Sequence, residues 1–201
     1  NTDGLFHSPD GDVQCTFMNK KEIQTNYYWG EDFGAVYLGL RDGSRMWFIL
    51  PDEGKTVEDV LKAGEYTQFL LGDYALYSDD GANHKYLKVN LSVPKFDIRA
   101  SGDLKQDLQA MGITDIFAPE SADFSASVES NLPVYLTAVN QATRVAIDEE
   151  GVTAASYIEL PGAGAAPPPE EIIDFILDRP FLFAITNRYD VPLFCGVVNN
   201  P

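Results

Sequence analysis

The sequence has little of the material from which disulfide-rich, metal-binding or nucleic-acid-binding proteins are built. Of its 201 residues only two are cysteine and two are histidine, and 14 basic residues accompany 31 acidic ones. At most one internal disulfide can form, so the chain is not a disulfide scaffold. The formal net charge of −17 argues against nucleic acid or an anionic membrane as partner, because both are polyanions.

Long apolar runs and the common enzyme motifs are also missing. No segment approaches the roughly 20 apolar residues of a membrane-spanning helix, so we expect no membrane insertion. The sequence contains no Gly-x-Ser-x-Gly elbow, no Walker loop, no dinucleotide fingerprint and no Cys-x-x-Cys pair. The acidic turns at Asp10 and Asp79 do not continue into the ligand order of a calcium loop. We therefore expect no catalytic residues, no metal and no cofactor.

The sequence does have core-forming residues and patterns typical of strands. Hydrophobic residues make up 45% of the chain and aromatic residues 12%. Val36–Leu40 and Arg45–Leu50 flank a turn at Asp42 and predict a hairpin, whose second strand is apolar enough to be buried on both faces. Leu87–Arg99 alternates apolar and polar residues, and Pro94 within it requires a bulge or an edge.

Short helices and two final strands complete the predicted elements. A helix from Thr56 to Ala63 has a capping threonine, a second covers Leu104–Met111, and a third is expected near Leu136–Asn140. Phe181–Asn187 and Pro192–Val198 are predicted as buried strands, which would bury the thiol of Cys195 as well. The fold class is α+β, with mostly antiparallel sheets, a few short helices and one domain over residues 1–201.

One segment combines a strand pattern with a loop composition. Val152–Leu160 alternates as a strand does, whereas the following residues, Pro161–Pro169, are small and rich in glycine and proline. Such a segment could exist in two states, exposed or added to a sheet. An edge strand that runs into a flexible linker is the alternative interpretation.

Several motifs occur in the order in which one protein family has them. They are Phe48-Ile-Leu-Pro51, Val93-Pro-Lys-Phe96, Leu104–Phe117, Ala122-Asp-Phe-Ser125, Asp148-Glu-Glu-Gly151, Phe175–Ile185 and Leu193–Pro201. Together they resemble the C-terminal half of the serpins, which are serine protease inhibitors. The resemblance implies a serpin-like fold with an exposed reactive loop at about 149–172, and an extracellular, secreted or cell-surface location. It also implies that the missing N-terminal half is a partner, and the opening Asn1-Thr-Asp-Gly without methionine fits a piece of a longer protein.

The resemblance further implies a mechanism. An inhibitory serpin offers its loop to a serine protease, whose serine attacks a loop carbonyl and forms an acyl-enzyme. The cut loop then inserts into the central sheet as an added strand, which is a use of strand addition that general accounts already attribute to serpins. Insertion releases stored strain and traps the protease before water can hydrolyse the ester.

The resemblance implies a hinge at the start of the loop, because each residue of this segment can be matched to the hinge of the family. Its members are Glu149, Glu150, Gly151, Val152, Thr153, Ala154, Ala155 and Ser156. Tyr157 departs from the family pattern, because inhibitors usually have a small residue there, and we expect it to slow insertion. The resemblance also places Lys95 beside Glu149 as an ion pair, and Thr143–Asp148 beside Val89–Ile98 as neighbouring strands.

The family's spacing of about seventeen residues from Glu149 puts the reactive bond between Ala165 and Ala166. The surrounding residues are alanine, glycine and proline, which favours an elastase-like or subtilisin-like protease with a shallow specificity pocket. For a complete protein we expect inhibition, but for the isolated chain we expect none, because much of the accepting sheet is absent. The alternative function is a non-inhibitory interaction module on a serpin scaffold, or an inactive truncated fragment.

Overall fold

The computed structural model describes residues 1–71, 83–148 and 169–201, and its elements are predominantly strands. The described residues form ten strands and three α-helices: β1 Thr2–Ser8, β2 Gly11–Trp29, β3 Phe33–Gly39, β4 Arg45–Pro51, α1 Val57–Ala63, α2 Glu65–Leu70, β5 His84–Pro94, β6 Phe96–Asp103, α3 Lys105–Ala110, β7 Asn140–Ile147, β8 Ile172–Ile176, β9 Phe181–Thr186 and β10 Pro192–Val198. A 3-10 turn covers Asp115–Phe117. The predicted α+β class is confirmed.

Eight of these strands form one sheet in the order β10-β9-β4-β3-β2-β5-β8, with β1 paired to the first part of β2. Among the described strands of this sheet, every pairing is antiparallel except that of β5 with β8. β2 is long enough to pair with three strands, and its register with β5 shifts between Lys20 and Ile23. Such a bulge bends the strand and increases its twist, which lets one strand serve different neighbours.

The β3–β4 hairpin is confirmed with the predicted turn. Val36 lies opposite Phe48, and Gly43 in the turn has a φ of +84°, a conformation that glycine adopts without steric cost. Six consecutive residues of β4, Met46–Pro51, are buried. Because successive side chains of a strand point to opposite faces, both faces of β4 are covered, as the apolar sequence predicted.

Aromatic side chains fill the core on the two faces of the large sheet. On one face Trp47 packs with Phe69 and Tyr66 of α2, with ring centroids of Trp47 and Phe69 5.1 Å apart. On the other face Phe181 makes edge contacts with the rings of Phe6 and Phe48. Such burial is the main favourable contribution to folding, at about 25 cal/mol per Å² of apolar surface.

The first helix begins as the sequence predicted. The Thr56 hydroxyl accepts a hydrogen bond from the Asp59 amide at 3.2 Å, and the Asp59 carboxylate accepts one from the Thr56 amide at 2.9 Å. This reciprocal capping box satisfies two amides that an α-helix leaves without internal partners. Val60 is the buried residue of α1 and places the helix on the Trp47 face of the core.

The contacts divide the chain into two compact units. The large unit is Asn1–Asp97 together with Ala146–Pro201, and the small unit is Ile98–Val145. The small unit contains most of the two-stranded β6–β7 sheet, α3 and the 3-10 turn. α3 matches the predicted second helix, and Gly112 just beyond it has a φ of +90°.

The predicted third helix, near Leu136–Asn140, is wrong. These residues are not helical, and Asn140 already belongs to β7. The Leu136 amide donates to the Ile116 carbonyl at 2.8 Å, and the Val139 carbonyl accepts from the Leu104 amide at 2.8 Å. The backbone groups that a helix would pair internally are therefore used by residues distant in sequence.

The expected partner of Thr143–Asp148 also needs correction. Thr143–Ile147 lies in β7 and pairs with β6, which begins only at Phe96, whereas Val89–Val93 belongs to β5 in the other sheet. β5 ends at Pro94, which still pairs with Phe17 of β2, and the Lys95 amide then donates to the carbonyl of Thr16 in the same strand at 3.0 Å. The chain passes into β6 at the next residue, Phe96.

The last strand is in place, but it is not buried. β9 is buried over nearly its whole length, whereas Cys195 in the middle of β10 is exposed and its thiol is free. The reason is that β10 is the terminal strand of the sheet and, within the described ranges, has a neighbouring strand on one side only. An apolar sequence indicates that a strand can be buried, but its position in the sheet decides whether it is.

Candidate functional site

The predicted reactive loop is attached to two different sheets. On its N-terminal side β7 of the two-stranded sheet ends at Ile147, and on its C-terminal side β8 of the eight-stranded sheet begins at Ile172. The described residues at these two attachment points define the candidate site.

Hydrogen bonds and an ion pair fix the C-terminal attachment. β8 runs parallel to β5, and the Glu171 carbonyl just before β8 accepts a hydrogen bond from the Lys88 amide at 3.0 Å. The Glu171 carboxylate also pairs with the ammonium of Lys85. Both contacts lie within two residues of the point where the described chain resumes, so the loop ends on a fixed strand.

Further polar contacts join β5 to β2 on one side and to β8 on the other. The Lys88 ammonium donates to the Glu22 carboxylate at 2.8 Å, and the Glu22 amide donates to the Asn90 side-chain oxygen at 3.1 Å. Asn90 in turn donates to the Asp174 carboxylate of β8 at 2.9 Å. The hydrogen bond from Lys88 favours the ionised form of Glu22 and lowers the pKa of this carboxyl group.

Glu22 reaches this position because of its backbone conformation. It lies in the bulge of β2 and has a φ of +52°, the left-handed region that non-glycine residues seldom adopt. The bulge turns its amide towards Asn90, while its carboxylate meets Lys88. The polar residues of the alternating pattern in β5 therefore connect β2 to β8.

One carboxylate organises the start of β7, the strand whose opposite end, Ile147, is the N-terminal attachment. The Asp103 side chain accepts hydrogen bonds from the Val139 amide at 2.9 Å and the Lys105 amide at 3.0 Å. These two backbone donors stabilise the charged form and lower the pKa of Asp103. The end of β6, the start of α3 and the segment that leads into β7 are thereby joined at one residue.

The predicted loop residues themselves lie outside the described residues. This holds for the reactive bond, Ala165–Ala166, and for the hinge, Glu149, Glu150, Gly151, Val152, Thr153, Ala154, Ala155 and Ser156. Lys95 is described, but the ion pair predicted for it involves Glu149, so that pair stays a prediction as well.

The search for metal sites and membrane spans covers only the described ranges, 1–71, 83–148 and 169–201. In them no three potential metal ligands among histidine, cysteine, aspartate and glutamate come together. No helix in these ranges is both long enough and apolar enough to cross a membrane.

Comparison with known proteins agrees with this arrangement. The family model described as serpin, serine protease inhibitor, matches residues 1–201, the whole chain. The chain belongs to the serpin family. Plasminogen activator inhibitor 1 of Sus scrofa is 30% identical over 98% of this chain and 48% of its own length. Alpha-1-antiproteinase of Callosciurus caniceps is 36% identical over 77% of this chain and 34% of its own.

A solved serpin structure shares the fold. The native state of the thermophilic serpin Tengpin matches 100% of this chain and 50% of its own, with a TM-score of 0.78 and 27% sequence identity. The chain thus spans about half the length of the serpins it matches, and that half is the C-terminal one. Serpins as a family are protease inhibitors and not catalytic enzymes.

Sequence reasoning missed the residues that hold the C-terminal attachment. The alternation of Leu87–Arg99 predicts a strand but gives no role to Lys88, Asn90 or Glu171. The alternation did contain a signal, because charged side chains on one face of a strand favour opposite charges on the neighbouring strand. The pattern could not show that β8, about 80 residues further along the chain, is that neighbour.

Proposed function

We propose that the complete serpin containing this chain is a suicide-substrate inhibitor of a serine protease. The protease serine attacks the carbonyl carbon of Ala165, the bond to the nitrogen of Ala166 breaks, and the Ala165 acyl group remains on the enzyme as an ester. The residues before the cut then add to the sheet as a strand and carry the acylated protease with them. The trap works if this movement is faster than hydrolysis of the ester.

The position of β7 is the observation that supports this mechanism. β7 immediately precedes the predicted hinge, and in the described part of the chain it has a strand partner, β6, on one side only. A strand edge offers a row of backbone donors and acceptors to an incoming strand. The predicted hinge therefore follows β7 almost directly in the chain, and it could be inserted beside this strand.

The loop composition supports a protease with a shallow specificity pocket. Gly162–Pro167 contains only glycine, alanine and proline, so it offers nothing to a pocket that selects arginine, lysine or an aromatic ring. We therefore propose an elastase-like or subtilisin-like target. We also propose an extracellular setting, and this proposal rests on the family resemblance alone. The non-inhibitory alternative is not favoured, because the relatives named above are inhibitors by name.

Incubation of the complete serpin with an elastase and with a subtilisin tests the proposal directly. The expected product is a complex that survives boiling in detergent, together with a released peptide whose sequence begins at Ala166. Trypsin, which needs a basic residue, is the matched protease control. Cleavage without any detergent-stable complex would show a plain substrate, and a peptide that begins elsewhere would relocate the reactive bond.

A pair of hinge variants tests the insertion step. Side chains alternate along a strand, so Ala154 would face the core after insertion and Thr153 would face outward. Burial of an unpaired charge is costly, so Ala154→Arg should turn the inhibitor into a substrate, whereas Thr153→Arg should change little. The measurement is the number of serpin molecules consumed per protease inhibited. Equal stoichiometries in the two variants would contradict insertion in this register.

A further inference from the structure

Two tight turns lie side by side at one end of the large sheet. The first, residues 40–44, joins β3 to β4, and the second, residues 187–191, joins β9 to β10. β4 and β9 are neighbouring strands, and a Cβ placed on Gly43 in the first turn would lie 3.6 Å from the Cβ of Arg188 in the second. These paired turns therefore form one continuous surface.

The paired turns have the same backbone geometry. In the first turn the Leu40 amide donates to the Ser44 carbonyl at 2.7 Å, and the Gly43 amide donates to the Leu40 carbonyl at 3.1 Å. The second turn has the corresponding two bonds, both of 3.0 Å. The fourth residue of each turn has a left-handed φ, +84° at Gly43 and +61° at Asp190. Side chains at equivalent positions of the two turns are therefore presented in the same way.

An exposed arginine occupies the second position of each turn, Arg41 in the first and Arg188 in the second. Gly39 of β3 and Thr186 of β9 both lie opposite Arg45 of β4. Arg41 and Arg188 each follow two residues later, so they lie level with one another at the end of the sheet. Two strand spacings separate them, which places their backbones about 10 Å apart.

The acidic residues of the paired turns already have partners. The Asp42 carboxylate accepts a hydrogen bond from a backbone amide of its own turn at 2.9 Å, and the Asp190 carboxylate pairs with the Arg45 guanidinium. In the part of the chain that the structure describes, neither Arg41 nor Arg188 has a carboxylate partner. This surface thus has two positive charges available for a ligand, in a chain whose net charge is −17.

The neighbouring tyrosine orders one of the two arginines. The guanidinium carbon of Arg188 lies 4.8 Å from the centroid of the Tyr189 ring, and its Nη2 donates to the Tyr189 hydroxyl at 2.8 Å. A guanidinium has five N–H donors, so the remaining ones can bind a carboxylate through two parallel hydrogen bonds. Because the side chain is already held in place, binding costs less conformational entropy.

We propose that the paired turns bind an extended acidic peptide segment of another protein, with carboxylates at positions i and i+3. A polyproline II segment has three residues per turn and rises about 3.1 Å per residue, so these carboxylates lie on one side about 9 Å apart. This spacing matches that of Arg41 and Arg188. The negative charges elsewhere on the chain are screened beyond about 8 Å at physiological salt, so the local attraction decides binding. The inference rests on the paired turns and not on the proposed inhibition.

Titration of this chain with two short peptides, followed by nuclear magnetic resonance, tests the proposal. The first peptide is Glu-Pro-Pro-Glu with blocked ends, and the control, Glu-Glu-Pro-Pro, has the same composition and charge with adjacent carboxylates. The first peptide should shift the amides of residues 40–44 and 187–191 and bind roughly fivefold more tightly than the control, because only its carboxylates can reach both arginines. Its binding should weaken at high salt. Equal affinities, or no binding of either peptide, would overturn the proposal.

Three variants locate the site. Arg41→Gln and Arg188→Gln should each weaken binding of the first peptide roughly fivefold and abolish its advantage over the control peptide. Lys62→Gln on α1 removes the same charge from another exposed side chain and should leave the affinity unchanged. An equal loss in Lys62→Gln would show a general effect of charge and contradict the site. A dimeric mass without peptide, with the same turns perturbed, would assign the surface to a second copy of this chain and overturn the proposal as well.

Discussion

The large and the small unit of this chain differ sharply in how much core they contain. In the large unit Trp47, Phe48, Phe181 and their neighbours are almost fully buried on two faces of an eight-stranded sheet. In the small unit Phe117 is the one residue that is buried. The small unit carries exposed Met111 and Leu132 instead.

This difference shows which part of a serpin half can be stable by itself. A two-stranded sheet is at best marginally stable in water unless more strands or a helix cover it. The small unit has such a sheet with little buried apolar surface, whereas the large unit has the core of an ordinary domain. We infer that the large unit holds its own fold and that the small unit depends on packing from the rest of the serpin.

The largest expected effect comes from removing a core ring of the large unit. Trp47 is 2% exposed, packs on Phe69, and its indole N–H donates to the Thr186 hydroxyl at 3.1 Å. Trp47→Ala should lower the free energy of unfolding by about 3–5 kcal/mol, because it leaves a cavity and an unpaired hydroxyl. Urea titration followed by far-ultraviolet circular dichroism measures the change.

The corresponding variant of the small unit is Phe117→Ala. It should change the free energy of the main unfolding transition by no more than about 0.5 kcal/mol, because the small unit contributes little to the cooperative core. If Phe117→Ala destabilised the chain as much as Trp47→Ala, the two units would share one core and the comparison would fail.

A pair of glycine variants gives an effect of intermediate size. A Cβ at Gly196 of β10 would lie 2.8 Å from the Phe183 ring, whereas at Gly102 of the small unit it would meet nothing within 4 Å. Gly196→Ala should therefore cost about 1–3 kcal/mol, because the buried ring must move. Gly102→Ala should raise the free energy of unfolding by about 0.5 kcal/mol, because alanine lowers the conformational entropy of the unfolded chain. The same urea titration checks both, and a tolerated Gly196→Ala would mean that the ring is free to shift.

The smallest expected effect concerns Asp103 in the small unit. Asp103→Ala removes the acceptor of the Val139 and Lys105 amides, so these amides should exchange a few times faster while those of β4 are unchanged. Amide exchange followed by nuclear magnetic resonance measures both sets. Equal acceleration in β4 would contradict the separation of the units.

The lowered pKa of Asp103 determines the direction in which its contribution to stability changes with pH. The folded pKa lies below the unfolded value of about 3.9, so its contribution to stability is present above that value. The contribution is lost as the pH falls through the folded pKa. Protection of the Val139 amide should therefore decrease below about pH 4 in the native chain and show no such step in Asp103→Ala. An identical step in the variant would assign it to another carboxyl group.

The sequence predicted the elements that depend on local signals. Thr56 marked the start of α1, and the alternation in Leu87–Val93 matches the buried and half-buried residues of β5. In these cases capping and side-chain periodicity act within a few residues, so the pattern contains the information.

The wrong predictions depended on residues far apart in the chain. The segment near Leu136 is not helical because its backbone bonds to Ile116, and Cys195 is exposed because no described strand lies beyond β10. The C-terminal attachment escaped prediction because Lys85 and Glu171 meet only through the parallel pairing of β5 with β8. The family resemblance supplied the fold and the loop assignment, which periodicity alone could not.

Hydrogen exchange of the isolated chain, followed by mass spectrometry, tests the central claim most directly. Peptides from β3, β4 and β9 should be protected for hours, whereas peptides from Ile98–Val145 should exchange within seconds to minutes and gain protection in the complete serpin. Slow and uniform exchange across both units of the isolated chain would contradict the account, because the small unit would then be stable without the rest of the fold.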